Sequence, residues 1–334
     1  MALFLAEHWV WDFWFVQDGD HTHLFYLSAP RSLDDPNLRH WNVRIGHARS
    51  VDLKNWEILP DALWPAATPS WDDYTTWTGC VVRAQAGHWM MFYTGTSKAE
   101  DGCVQRIGVA CSDDLIVWRR PTETPLLQAD LRYYESLDLN IWYEQAFRDP
   151  WVFPDPKGDG WHMFFTAREP QGERNARGVI GHARSPDLRH WEQGPPIFRS
   201  KRYGHMEVPQ PMEYQGRWYC VFCVAHTHID PVHAERHMKG KQGGIHYLMA
   251  EHPLGPWHLP EEDFLQGDAH CSLYAGKLLV DGRGSLCLMA FRNHDETGSF
   301  IGEITDPMPL TVLDDGRLRL SDGREDLERP LRHN

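Results

Sequence analysis

Ile45-Gly-His-Ala-Arg-Ser50 followed by Asp52-Leu-Lys-Asn-Trp56 returns later in the chain as Ile180-Gly-His-Ala-Arg-Ser185 followed by Asp187-Leu-Arg-His-Trp191. A third copy reads Ile107-Gly-Val-Ala-Cys-Ser112 and Asp114-Leu-Ile-Val-Trp118. A fourth has worn to Ile245-His-Tyr-Leu-Met-Ala250 and Pro253-Leu-Gly-Pro-Trp257, with proline where the aspartate stood. The last unit keeps only Phe300-Ile-Gly-Glu-Ile304. Ahead of each lies an apolar strand: His23 to Leu27, Trp89 to Gly95, His162 to Ala167, Trp218 to Val224 and Leu286 to Phe291. Self-similarity at a fixed period marks a repeat architecture, and here the period is about 65 residues. A strand unit of this kind cannot bury both faces alone, so five copies are expected to close around an axis.

The expected fold is therefore all-β, a five-bladed β-propeller forming a single domain over residues 1–334. Its blades run roughly over 9–65, 71–130, 145–200, 205–262 and 268–312. Helical periodicity is nearly absent, and the polar stretch from Asp230 to Lys241 reads as an insertion between strands. The recurring Asp52, Asp114 and Asp187 read as structural, an Asx-type turn acceptor followed by a tryptophan packed between blades.

In a propeller the innermost strands line a channel, and their beginnings open at one end of it. Those beginnings carry Trp11-Asp12-Phe13, Trp77-Thr78-Gly79, Arg148-Asp149-Pro150, Met206-Glu207-Val208 and His270-Cys271-Ser272. Asp12, Asp149 and Glu207 would thus share one funnel, with Trp77 and His270 between them. Convergence of carboxylates costs about 4 kcal/mol per pair at 4 Å and an effective dielectric near 20. A fold tolerates that cost most readily where the site is used.

Composition narrows the chemistry. A net charge of −14 disfavours nucleic acid and anionic membrane surfaces as partners. The 16 tryptophans exceed what packing alone asks for, and tryptophan stacks well on sugar rings, so a small carbohydrate is the expected partner. No stretch is long and apolar enough to span a bilayer, and the N-terminus has no basic region of the signal-peptide kind. The seven cysteines read as reduced core thiols, Cys220 and Cys223 among them. These features together lead to the expectation of a cytoplasmic protein. His226, His228, His233 and His237 fit no tetrahedral spacing and read as a solvated loop near the pocket, and neither a metal nor another cofactor is expected.

Cleaving a glycosidic bond needs two carboxyl groups in opposite protonation states. Glu207, among Met206, Val208 and Pro209 and near two aspartates, is expected to have a raised pKa and to act as the acid. Asp12 is the expected nucleophile. Asp149, beside Arg148, is expected to stay ionised and to grip sugar hydroxyls.

The ordered set His23-Leu-Phe-Tyr26, Trp41 to His47, Ala48 to Pro60, Trp77-Thr-Gly79, Phe92-Tyr-Thr-Gly95, Phe147-Arg-Asp-Pro150 and Glu207-Val-Pro209 resembles glycoside hydrolase family 32. The opening Val10-Trp-Asp12-Phe-Trp14 looks more like family 68 of the same clan. The resemblance implies a five-bladed propeller that hydrolyses or transfers β-D-fructofuranosyl groups with retention. It assigns Asp12 as nucleophile, Glu207 as general acid/base and Asp149 as hydroxyl-binding stabiliser with Arg148 beside it, and it makes Trp77 the aromatic wall of the fructosyl subsite. Trp11 and Trp14 are expected to line the mouth, and His270 to reach the bound sugar. Departures are the aromatic run around Asp12, Leu27 where the family has glutamine, and no β-sandwich following the propeller. An inverting furanosidase resembling family 43, or a sugar-binding propeller without catalysis, are the alternative readings.

Overall fold

The computed structural model describes residues 3–84, 87–237, 242–260 and 264–321. The strands fall into five antiparallel sheets, in chain order. The first comprises β1 (His8–Asp18), β2 (His21–Pro30), β3 (Arg44–Ser50) and β4 (Glu57–Leu63). The second has β5 (Thr75–Arg83), β6 (Trp89–Thr96) and β7 (Arg106–Ser112). The third has β8 (Phe147–Pro154), β9 (Trp161–Arg168), β10 (Gly178–Ser185) and β11 (Glu192–Arg199). The fourth has β12 (Glu207–Tyr214), β13 (Arg217–Val224), β14 (Gly243–Ala250) and β15 (Gln266–Asp268). The fifth has β16 (Leu273–Val280), β17 (Leu286–His294), β18 (Phe300–Ile304), β19 (Met308–Val312) and β20 (Leu318–Leu320).

The first strands of successive sheets pack side by side around a ring: β1 on β5, β5 on β8, β8 on β12, β12 on β16, and β16 back on β1. This is the five-bladed propeller that the repeats imply. Closure is made by backbone from both ends. Leu3 and Ile304 exchange N–H···O bonds of 2.8 and 3.1 Å, and the Arg31 guanidinium donates to the carbonyl of Ile301 at 3.1 Å. The one α-helix among the described residues, α1 (Pro231–His237), lies within the stretch read as an insertion. Residues 238–241 of that stretch, 261–263 of the fourth unit, and 322–334 lie outside the described residues.

The repeat formula has a physical reason in each copy. Asp52, Asp114 and Asp187 each accept two backbone N–H bonds through Oδ1, at 2.8 and 2.9 Å. The leucine that follows takes a left-handed φ, 60° at Leu53, 65° at Leu115 and 66° at Leu188. That turn carries the tryptophan onto the blade before it. Trp118 meets Phe25 edge-on at 5.7 Å, Trp191 meets Phe92 at 5.7 Å, and Trp257 meets Phe164 at 6.1 Å. Each such contact adds about 0.5–1.5 kcal/mol beyond the area buried. The indole N–H of Trp118 and of Trp191 donates to the carbonyl of the turn leucine. In the fourth copy Trp257 donates instead to the carbonyl of Pro253, at 3.0 Å. There the third residue after the aspartate position is Pro256, which has no N–H to offer a side-chain acceptor, and the indole finds its carbonyl without the aspartate turn.

Candidate active site

All five innermost strands break register near the same end. The irregularities lie between Trp11 and Phe13, Trp77 and Gly79, Arg148 and Trp151, Glu207 and Gln210, and Tyr274 and Lys277. A bulge re-aims the side chain it carries, and here it carries Asp12, Thr78, Asp149, Val208 and Ala275. Asp149 sits at φ 59°, Val208 at 54° and Ala275 at 47°. A left-handed backbone costs of order 1–3 kcal/mol for a residue such as β-branched Val208, and such strain concentrates at functional sites.

The bulges open on a cavity of about 580 Å³, lined among others by Trp11, Asp12, Trp77, Arg148, Asp149, Glu207, His270 and Tyr274. That volume lies in the range of small-ligand sites. Asp12, Asp149 and Glu207, from blades one, three and four, therefore share one chamber, with Arg148, Trp77, Trp11 and His270 on its walls. Trp14 is elsewhere. It is fully buried and stacks on Phe25 at 6.2 Å inside the first blade, so the expectation that it touches substrate is corrected. Strand alternation accounts for this, because the bulge at Asp12 directs Trp11 to the cavity and leaves Trp14 facing the core.

Each carboxyl group has its own partners. Asp12 Oδ2 accepts from Thr78 Oγ1 at 2.6 Å. Asp149 Oδ2 accepts from Thr166 Oγ1 at 2.7 Å and from the Val208 amide at 3.2 Å. Glu207 Oε1 accepts from Arg148 Nη2 at 2.5 Å, and its Oε2 accepts from the Tyr274 hydroxyl. Arg148 also donates through Nη1 to Glu144 at 2.6 Å and to Gln105 at 3.1 Å, while its Nε lies 3.4 Å from Asp149. One guanidinium thus fixes three acids relative to one another, the forked geometry for which arginine is suited. Buried Lys277 donates to the Val208 carbonyl at 3.0 Å and steadies the strained bulge.

Electrostatics divides the acids. Burial, reinforced by the charge of Asp149, pushes Asp12 up to about 6 against the pull of the Thr78 hydroxyl. Asp149 is raised by burial too, with Arg148 working against the shift. Glu207 is opposed by burial, but its contact with His205 and the charge of Arg148 outweigh that and hold it well below its ordinary value. His205 is itself kept neutral by burial and by Arg148, so the decisive charge is that of the arginine. The expectation of a raised Glu207 is thereby corrected. Its apolar neighbours along the chain are not its neighbours in space, where a guanidinium faces it. The two carboxyls are thus shifted in opposite directions, Asp12 up and Glu207 down.

Several wall residues have no sequence signal of the same strength. Glu144 lies four residues before Arg148 in an irregular stretch, and burial raises its pKa. Tyr274 could have been found as the counterpart of Trp11, Trp77, Arg148 and Glu207, the residue just before the register break on the fifth innermost strand. Arg39, His40 and Trp41 come from the loop joining β2 to β3. His40 accepts the Trp77 indole N–H on its carbonyl at 3.0 Å, and Trp41 leans on Trp77 at 5.8 Å. Gly102, at φ 73°, makes room for Trp41, since a Cβ there would stand 2.4 Å from the ring. His228, expected in a solvated loop, instead packs on Trp142 and His205 with ring centroids 5.3 and 4.9 Å away. The side chain of His237 lies outside the described residues.

A family profile described as "Glycosyl hydrolases family 32 N-terminal domain" matches residues 14–302. The chain belongs to glycosyl hydrolase family 32. It is accordingly a glycosidase of the β-fructofuranosidase kind, and the readings as a family 43-like enzyme or a non-catalytic binder fall away. The family 32 match begins just after Asp12, so the place of that residue rests on the β1 bulge rather than on the profile. An extracellular sucrase of Zymomonas mobilis is 25% identical over 93% of this chain and 81% of its own length. An insoluble β-fructofuranosidase isoenzyme of Arabidopsis thaliana is 28% identical over 56% of this chain and 29% of its own. Among solved structures, an inulosucrase from Halalkalicoccus jeotgali bound to kestose superposes with a TM-score of 0.78 at 21% identity, over 95% of this chain and 87% of that one. Bacillus subtilis levansucrase gives 0.72 at 14%, with the same coverage. At these identities the structural likeness speaks for the propeller. The expectation of a cytoplasmic protein is corrected by these relatives, one of which is named as extracellular. Unpaired cysteines and an N-terminus without a basic region do not report the compartment. All seven cysteines are unpaired here, with Cys220 and Cys223 buried on β13.

Proposed function

We propose that this family 32 protein cleaves β-D-fructofuranosides of sucrose or short fructo-oligosaccharide size with retention of configuration, and that it passes the fructosyl group to water or to a second sugar. Asp12 attacks the anomeric carbon, Glu207 protonates the leaving oxygen and later deprotonates the acceptor, and Asp149 with Arg148 holds ring hydroxyls. The carrying observation is that three acids, Asp12 and Asp149 in the register breaks of their strands and Glu207 just before that of its own, face one sugar-sized cavity.

A retaining dyad operates with one proton between its two carboxyl groups. The raised Asp12 and lowered Glu207 support a major form with that proton on Asp12, so that turnover runs through the minor form in which Glu207 carries it. Coupled carboxyls titrate as a pair, and the pair holds one proton between a lower value on the Glu207 side and an upper value near 6. The test is methanolysis of sucrose followed by proton NMR. Retention gives the β-configured methyl fructofuranoside as first product, and an α-configured first product overturns the reading. Asp12→Asn and Glu207→Gln should each lower kcat by at least about 10³-fold. A leaving group that needs no protonation should restore the first step in Glu207→Gln only.

A further inference from the structure

Next to Glu207 stand two imidazoles that the mechanism does not use. His205 is fully buried and His228 half-buried, and their rings meet at 79° with centroids 4.9 Å apart. Nδ1 of His228 and Nε2 of His205 are both enclosed and make no hydrogen bond, Nε2 of His205 having only Glu144 Oε1 nearby, at 3.5 Å. Buried imidazole nitrogens are ordinarily satisfied, so two orphans side by side call for an account. Nδ1 of His205 takes a bond of 3.2 Å from Arg148 Nη2 and lies 3.6 Å from Glu207 Oε1. One ligand atom each from His205, Glu207 and His228 can be chosen so that all three lie within 4.8 Å of one another.

We propose that His205, His228 and Glu207 form a reversible site for a borderline divalent cation of the zinc or copper class, and that its occupation switches the enzyme off by engaging Glu207. Two imidazoles and one carboxylate are a known three-ligand set for such ions, with bonds of about 2.0–2.2 Å and a fourth position left to water. Around a tetrahedral ion of that size ligand atoms stand about 3.4 Å apart, so the trio has to close by on the order of 1 Å. Nδ1 of His205 is engaged by Arg148, so binding through that atom displaces the guanidinium, whereas Nδ1 of His228 is enclosed and without a hydrogen-bond partner. Oxygen-seeking magnesium or calcium gains little from two nitrogens and is excluded by the donor set. Arg148 already occupies Glu207 Oε1, so the ion competes with a guanidinium and is held loosely enough for a chelator to remove it. Trp142, edge-on to His205 and tilted at 58° to His228, packs against both rings.

That the ion inhibits rests on the reading of Glu207 as acid/base; that it binds does not. The experiment therefore measures both. Protein freed of metal with EDTA is titrated with Zn²⁺ by calorimetry, and with Co²⁺ and Cu²⁺ by visible absorption and electron paramagnetic resonance. The expected results are one site per chain, intense tetrahedral cobalt bands, and copper hyperfine coupling to two nitrogens. Zn²⁺ should inhibit sucrose cleavage reversibly. In His228→Gln, which lies outside the sugar cavity, basal turnover is kept while zinc affinity and zinc inhibition both weaken at least tenfold. Equal zinc binding in wild type and His228→Gln overturns the site, as does a copper spectrum without two-nitrogen coupling, which needs no variant. Binding at this site without inhibition overturns the switch.

Discussion

Replacing Thr78 by valine removes one hydroxyl and keeps the shape of the side chain. That hydroxyl donates to Asp12 Oδ2 at 2.6 Å and stabilises its ionised form, so the substitution must raise the pKa of the carboxyl. A hydrogen bond to a charged group contributes about 1.5–3 kcal/mol, and one pKa unit corresponds to 1.36 kcal/mol, which gives a rise of about 1–2 units. The sign in the rate profile follows from the shared proton. The dyad needs one proton, and wild type loses it as pH climbs through about 6, so kcat/KM should fall above that value. In Thr78→Val the fall should begin about 1–2 units higher, while the plateau drops because the ionised nucleophile, needed for attack, is scarcer and less well oriented. The assay is initial-rate sucrose hydrolysis from pH 4 to pH 9 at substrate concentrations far below KM. An alkaline limb that stays in place in the variant refutes the argument that Thr78 tunes the proton of the pair.

Arg148→Lys loses the fork that joins Glu144 to Glu207, and kcat/KM for sucrose should fall about 10–100-fold, in line with the loss of one charged hydrogen bond. Trp77→Ala should raise KM about tenfold, whereas Trp14→Phe should leave KM unchanged and show only in a lowered Tm, since Trp14 lies in the core. Arg168 is buried, donates to Glu135 at 2.6 Å and lies 3.7 Å over the ring of Trp142. Arg168→Met should cost about 3 kcal/mol in urea unfolding, the low end for a broken buried pair because Arg177 still reaches Glu135 at 2.7 Å.

The fold was legible because the Asp-Leu-x-x-Trp turn is a local device whose parts all appear in order: an acceptor, a residue that turns left-handed, and a ring for the neighbouring blade. The three acids were legible through their places near the starts of innermost strands. What did not show was the bulge itself. Nothing in Trp11-Asp12-Phe13-Trp14 announces which indole turns outward, so from sequence Trp14 is indistinguishable from Trp11. The pKa order was hidden for a related reason. The flanks of Glu207 along the chain are apolar, but its field is set by Arg148, which arrives from another blade. Glu144, Gln105 and His205 complete that field from segments with no repeat signature, and only tertiary contact reveals them.

The Leu3 to Ile304 pairing is a seam, and catalysis straddles it. Asp12 hangs from the sheet on one side of that join, and Tyr274, which steadies Glu207, from the sheet on the other. Unzipping a few backbone bonds at the periphery would let the two flanking sheets drift apart while most of the ladder stays intact. Loss of turnover in dilute denaturant should then run ahead of loss of circular dichroism, so that activity serves as a gauge of whether the circle is shut.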